Sequence, residues 1–434
     1  MRRSSRPPAA VDVLVLGGGP GGSTAASLLA RAGADVLVVE RETFPRFHIG
    51  ESLLPYNVPL LRRLGVWERL LAHGFQRKHG ARFVFEPEQG EMRLDFARSL
   101  DRSVPMALQV RRAAFDALLL DAAREHGAQV LEGTAVESAL VEGERAVGAR
   151  LRVGSGSPGA VHDVRARLVI DATGRTALLG RQLGLVERDP ALRQAALFTQ
   201  VEGARMALGT NGGDILIVGG PYGWFWLIPL DARTTSVGVV FPAAVARRHD
   251  GARERLFEAL VAESPEVSAR LDGAQRLLPI TATADFSYRC RRFAGAGWLL
   301  VGDAAGFLDP VFSSGVMLAM SSGESAARSA ERALRRRTAP AARDLAGHDR
   351  FVRRGLDRFR RYILAFYDPA CASIMATEPP SFLARAAVSA FAGKVYARDP
   401  RIWLFDRVFF TAAARLRRRA ARGKLELPAA PASG

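Results

Sequence analysis

Apolar residues come in short unbroken runs over much of this chain, and several runs stop at a glycine or an acid. Residues 11–16 form the first, Val-Asp-Val-Leu-Val-Leu. Its Val and Leu content predicts a strand buried in a parallel sheet. Gly17-Gly18-Gly19-Pro20-Gly21-Gly22 follows, then an alanine-rich stretch over 23–32 that predicts a helix closed by Gly33. A second apolar run, 35–39, ends in Glu40. Two further buried strands are predicted at 168–170 and 298–301, the first running into Asp171-Ala172 and the second into Gly302-Asp303. From 197 to 241 the pattern changes to short strands separated by turn residues, at 197–201, 214–218, 224–230 and 235–241. Such a series predicts an antiparallel sheet, with Gly219-Gly220-Pro221-Tyr222-Gly223 as a hairpin turn. Beyond Gly323 the chain reads as helical and basic, interrupted by Pro340 and Pro379-Pro380, with a low-complexity Pro/Ala/Gly end after Leu427.

The order of elements predicts an α/β fold with an inserted sheet and a helical C-terminal region. The expected organisation is a basic tail over 1–10, the first part of a nucleotide domain over 11–195, and a substrate-side sheet region over 196–284. The nucleotide domain resumes over 285–338, helices fill 339–426, and a flexible tail takes 427–434.

Gly17, Gly19 and Gly22 have the spacing of a dinucleotide turn. Glycines there let a pyrophosphate approach the backbone N–H groups at a helix N-terminus. Glu40, at the end of the next strand, stands where an acid receives ribose hydroxyls.

Charge sharpens one residue. The chain carries a formal net charge of +17, yet only three of its 61 basic residues are lysine: Lys78, Lys394 and Lys424. Arginine keeps the charge, but only the lysine amine readily loses its proton or acts as a nucleophile. Lys78, alone among arginines over nearly the whole chain, is therefore a candidate for amine chemistry. The two cysteines, Cys290 and Cys371, are far apart and predict reduced thiols, with no metal site. No secretory h-region and no membrane-spanning apolar run occur, so a cytoplasmic protein without a transmembrane segment is expected. Arginine runs at 335–337, 353–361 and 417–422 read as solvated helix faces, and no nucleic-acid-binding motif accompanies them.

Three further pieces resemble glutathione-reductase-like flavoproteins. Gly302-Asp303 is similar to their second FAD motif, whose aspartate binds the ribityl chain. Asp171-Ala172-Thr173-Gly174-Arg175 is similar to their returning strand and turn, and Gln109-Val110-Arg111-Arg112 to a flavin-contacting stretch before a helix beginning near Phe115, with Arg112 the aligned arginine. The resemblance implies a Rossmann-type FAD-binding domain. Four other segments resemble the flavin-dependent halogenases: Trp224-Phe225-Trp226-Leu227-Ile228-Pro229, Phe307-Leu308-Asp309-Pro310-Val311-Phe312-Ser313-Ser314-Gly315, the Gly50-Glu51-Ser52 segment, and Gln76-Arg77-Lys78-His79-Gly80. The likeness runs from Val11 to about Arg335 and is nearest to halogenases of carrier-tethered pyrroles and electron-rich phenols.

What the resemblance implies is specific. Reduced FAD and O2 convert chloride or bromide into hypohalous acid, which crosses an internal passage to an aromatic substrate, free or held on an acyl or peptidyl carrier protein. FAD is held by Gly17, Gly19, Gly22, Glu40, Glu51, Ser52, Arg112, Gly302 and Asp303. The halide sits at Ser314 and Gly315, and Trp224, Trp226 and Phe312 line the passage. Lys78 is catalytic, either as an ammonium polarising hypohalous acid or as an amine that is itself halogenated. No second dinucleotide turn is present, so a separate flavin reductase is expected. Tryptophan halogenases carry a glutamate where this chain has Phe312, which argues against tryptophan as substrate and leaves the proton-accepting base unnamed. His48, His73 and His79 are read as surface or packing residues. The competing reading is a flavin monooxygenase of the same fold that does not halogenate.

Overall fold

The computed structural model describes residues 6–85, 90–154, 160–207, 209–220, 222–246, 252–284, 286–336, 338–375 and 381–422. The tail expected at 427–434, the first five residues of the basic tail, Pro221 and Pro379-Pro380 lie outside the described residues.

The buried runs form the centre of a parallel sheet. Five of its eight strands run parallel in the order Trp298–Leu300, Ala160–Asp171, Ala10–Leu16, Val36–Val39 and Gln129–Leu131, while Ala294–Gly295 and the pair Thr134–Glu142 and Arg145–Val153 join through antiparallel pairings. Leu16 is paired with both Val39 and Asp171, and Asp171 with Leu300, so these strands end level with one another. That register puts Gly17, Glu40, Ala172 and Val301 along one edge, the carboxyl edge where α/β sheets bind ligands. Two helices cover one face, Pro20–Arg31 and Gly315–Leu334. They approach closely: a Cβ on Gly323 would lie 2.4 Å from the Gly21 carbonyl oxygen.

The second sheet follows the order Gln275–Arg276, Gln194–Glu202, Thr234–Pro242, Gly223–Pro229, Ile215–Gly220, Gly80–Val84, Glu91–Asp95. It differs from the expected antiparallel sheet in two ways. Ile215–Gly220 pairs with Gly80–Val84 in parallel, so the sheet is mixed. Residues 80–95, expected within the nucleotide part, supply its far strands. The apolar pattern there is too short to reveal a partner more than a hundred residues away. Both faces are covered. Phe225 and Leu227 pack toward Leu256, Phe257 and Leu260, while Trp224, Trp226 and Ile228 point the other way. This is the two-residue alternation of a strand.

The helix expected near Phe115 begins earlier and spans Arg112–Glu125, which places Arg112 in its first turn. The C-terminal region is helical, with Ala342–Phe366, Pro369–Met375, Ser381–Phe391 and Pro400–Ala421. Among the described residues no helix is long and apolar enough to cross a membrane.

Candidate active site

A cavity of about 700 Å³ opens along the carboxyl edge of the parallel sheet and runs under the second sheet. The glycine turn forms one end. Gly17 has φ of +105°, a conformation L side chains rarely adopt, and a Cβ on Gly22 would sit 2.0 Å from the Gly17 oxygen. Gly22 therefore packs beneath the turn rather than lining the cavity. Gly19 lines it, and a Cβ there would meet nothing nearer than an Arg46 nitrogen at 3.9 Å. The helix that starts at Pro20 has no side-chain cap, so its first N–H groups face the cavity end as a positive pole. Glu40 is pinned beside them: Oε2 accepts the Gly18 N–H at 2.8 Å and Oε1 the Glu42 N–H at 3.0 Å.

Asp303 lines the middle of the cavity, where burial outweighs the charges of Arg112 and Arg175 and pushes its carboxyl up to about 6. No described residue donates a hydrogen bond to that carboxylate. Arg112 is clamped by Asp116 through Nε at 2.8 Å and Nη2 at 2.9 Å, and donates to the Ile49 oxygen at 2.8 Å. Glu51 is buried; Oε1 accepts from Gln200 at 2.7 Å, and Oε2 has no partner. Burial pushes its carboxyl upward. A phosphate cradle, open acceptors on Asp303 and Glu51, and a long slot between them fit a ligand with a pyrophosphate, a polyol chain and a flat ring. FAD is such a molecule.

Ser314 and Gly315 stand at the far end of the cavity. Ser313 is held at φ of +53°, Ser314 is the N-cap of the helix Gly315–Leu334, and a Cβ on Gly315 would meet nothing within 4 Å. This open, N–H-lined turn suits a halide. Trp224 and Trp226 line the same cavity with ring centroids 6.1 Å apart.

Lys78 ends a short strand, Gln76–Lys78, and is 1% exposed. Its Nζ donates to Ser52 Oγ at 2.8 Å and to the Leu53 oxygen at 3.0 Å, and stands 5.4 Å from the Phe96 ring centroid. Burial, partly opposed by Asp214, pushes its amine down to about 7. It faces a separate space of about 10 Å³ walled by Leu54, Phe83, Phe96, Phe312 and Phe391. Ser313 lines both this space and the large cavity, so the serine turn divides them. Phe312 thus belongs to the Lys78 side, and the two tryptophans to the other.

Sequence reasoning missed the residues that hold these groups. Trp224 Nε1 donates to Tyr367 Oη at 2.8 Å, and Tyr367 donates to Asp309 Oδ2 at 2.8 Å. Asp309 Oδ1 accepts the Val311 N–H at 3.0 Å, capping the short turn that leads into Ser313. Asp309 lies within the 307–315 motif, but Tyr367, which caps the C-terminus of helix Ala342–Phe366, is more than fifty residues away and gives no local signal. Asp116, one helical turn after Arg112, was legible as an i, i+4 partner. His48 lines the large cavity but is exposed, with its ring Nδ1 2.6 Å from the Ile49 oxygen. His73 packs on Phe75, and His79 gives its backbone N–H to Asp214. Among the described residues no cluster of His, Cys, Asp or Glu could hold a metal ion.

The FAD binding domain family matches residues 10–347. A tryptophan 2-halogenase from Chondromyces crocatus is 37% identical over 332 residues, covering 74% of this chain and 61% of that protein, so the chain matches less than two thirds of its length. A 1H-pyrrole-2-carbonyl-[peptidyl-carrier protein] chlorinase from Pseudomonas fluorescens is 32% identical over 383 residues, 82% of this chain and 83% of that protein. The solved structure of a myxobacterial chondrochloren halogenase superposes with a TM-score of 0.79 at 32% identity, covering 94% of this chain and 97% of the other.

Proposed function

Because the chain belongs to the flavin-dependent halogenases, with an FAD binding domain over residues 10–347, we propose that it halogenates an electron-rich aromatic ring at the Lys78 space. Bound as FADH2, the flavin supplies with O2 the oxidant that turns chloride or bromide into hypohalous acid. The protein's residues do the rest. Gly17, Gly19 and Gly22 shape the phosphate turn, and Glu40, Glu51, Ser52, Arg112, Gly302 and Asp303 hold the remainder of the cofactor. Ser314 and Gly315 receive the halide at the end of the cavity. Trp224 and Trp226 wall the cavity side of the serine turn, Phe312 the other side, and Lys78 meets the oxidant beyond it.

The observation that carries this reading is the burial of Lys78. A lysine in an apolar space, its amine pushed down to about 7 and bonded to Ser52 on the wall of the cofactor cavity, fits amine chemistry on a small oxidant. A surface lysine would fit none. Residues 11–195 and 285–338 serve the cofactor, and 196–284, joined by strands from 80–95, form the substrate-side wall. The substrate is a pyrrole, phenol or indole, in natural-product biosynthesis, free or on a carrier protein. Phe312 stands where tryptophan halogenases carry a glutamate, yet a relative is named a tryptophan 2-halogenase, so an indole stays within the substrate class. A separate reductase supplies FADH2.

Lys78→Ala and Lys78→Arg test the assignment. Both variants are expected to bind FAD and consume O2 as the wild type does, and to form no halogenated product by mass spectrometry. Partial activity in Lys78→Arg alone assigns a charge-only role. An oxygenated product formed equally without halide, and unaffected by Lys78→Ala, makes the protein a monooxygenase instead.

A further inference from the structure

The helix Pro400–Ala421 turns Ile402, Phe405, Phe409 and Ala413 inward, where all are buried. Its opposite face is unusual. Trp403 is 58% exposed, Leu404 40% and Val408 41%, three of the large apolar side chains most open to water, gathered within two turns. Single exposed apolar residues are ordinary, but a cluster on one face marks an interaction surface. The same face continues with Arg407, whose guanidinium lies 5.5 Å from the Trp403 ring, and then with Arg415, Arg418, Arg419 and Arg422, all exposed. Its acids are elsewhere: Asp399 caps the helix and pairs with Arg401, and Asp406 is buried against Arg358 and Tyr362. Among the described residues, the outward face therefore offers an apolar patch followed by positive charge with no acid of its own helix beside it.

That face lies one layer from the Lys78 space. Phe405 meets Phe391 edge-on at 6.0 Å, and Phe391 stacks on Phe312 at 5.1 Å; Phe391 and Phe312 both wall the space. The helix that carries Phe391, Ser381–Phe391, is tied to the far wall as well, since Ser389 accepts the Leu100 N–H at 2.7 Å. A space of about 10 Å³ holds one water at most, so an aromatic ring reaches Lys78 only when this wall yields. A partner seated on Pro400–Ala421 presses on the layer that must move.

We propose that the outward face of Pro400–Ala421 docks an acidic helical carrier domain, which delivers a thioester-bound aromatic ring to Lys78. The inference rests on the carrier-bound form of the proposed substrate. Charge selects this occupant: acidic carrier helices complement five arginines, and a compact domain covers a patch of three apolar residues. A membrane surface would require a longer apolar stripe, and the inner apolar residues of this helix are already spent in the core.

The test uses the full chain with FAD, a flavin reductase, chloride and two forms of one ring: pyrrole-2-carbonyl loaded on a peptidyl carrier domain, and the same acyl group as an N-acetylcysteamine thioester. Arg415→Glu/Arg418→Glu/Arg419→Glu and Trp403→Ser are each compared with wild type, with unfolding curves confirming that both variants fold. Each is expected to raise KM for the loaded carrier about tenfold or more and to leave the short thioester unchanged. Carrier affinity of the wild type should fall with added salt. Equal KM and affinity in wild type and variants overturns the docking face. A wild type that halogenates the short thioester but ignores the loaded carrier also overturns it, and leaves the halogenase reading standing. Loss of self-association, or of binding to anionic vesicles, in the variants without any change toward the carrier assigns the face to a second copy or a lipid surface. No halogenation of either form by wild type, while a free phenol is halogenated, overturns carrier delivery of a pyrrole and leaves the halogenase reading standing.

Discussion

Burying an amine costs stability while it is charged, and Lys78 gives that cost a pH signature. Its amine is pushed from 10.5 down to about 7. In the unfolded chain it keeps its proton up to about 10.5, so between these values the unfolded state binds more protons and stability rises with pH. Below about 7 both states hold the proton and this contribution is flat. Lys78→Met, similar in length and uncharged, should therefore gain most over wild type at pH 6, with the gap closing toward pH 9. Parallel denaturant curves at the two pH values check this, and a gap that does not change would mean the amine is not buried. A second residue-scale effect concerns Tyr367, which accepts from Trp224 and donates to Asp309. Tyr367→Phe leaves two buried partners unsatisfied, at about 1–3 kcal/mol. Because Asp309 caps the turn before Ser313, the variant should raise KM for chloride while FAD affinity holds. An unchanged chloride KM would detach this chain of bonds from the halide turn.

At the scale of elements, the cofactor site depends on strands that end level and on one tight glycine turn. Glu40 and Asp303 reach the cavity from two different strand ends, so each contributes separately. Glu40→Ala and Asp303→Ala should each weaken flavin binding by about 1–3 kcal/mol, and together by roughly the sum. Gly22→Ala acts through another route: its Cβ would meet the Gly17 oxygen at 2.0 Å, so the turn itself must shift. That variant should lose flavin affinity more than either acid variant while keeping a folded circular dichroism spectrum. Fluorescence titration with FAD ranks the three. Equal affinity in all would place the flavin elsewhere.

For the whole molecule the decisive feature is separation. Ser313 lines both the large cavity and the Lys78 space, and Ser52, which lines the cavity, accepts from Lys78 Nζ; in the proposed reaction the oxidant would cross between the two at these serines. Under the proposed function, such a separation would keep a reactive hypohalous acid away from bulk water. It also leaves the flavin in a cavity without a second glycine-rich turn for a nicotinamide nucleotide. With NADPH alone, flavin reduction should be far slower than turnover measured with an added reductase. Stopped-flow reduction matching turnover would show a nicotinamide site that the glycine pattern does not reveal.

Local chemistry made half of this protein legible. Gly17, Gly19 and Gly22 between two apolar strands announce a nucleotide turn because backbone freedom and strand burial are written in neighbouring residues. Trp224 and Trp226 share a face because strand side chains alternate. Lys78 stood out because arginine had replaced nearly every other lysine. Tertiary structure decided what depends on distant partners. The pairing of Gly80–Val84 with Ile215–Gly220 turned an expected antiparallel sheet into a mixed one, since a strand of five residues carries no record of its neighbour. Tyr367 reached Asp309 and Trp224 only when a C-terminal helix packed across both motifs. The neutral tendency of Lys78 likewise came from burial by Phe96, Phe312 and Phe391, gathered from three separate parts of the chain. A sequence states which groups are present; desolvation, which sets their chemistry, arises from everything that folds around them.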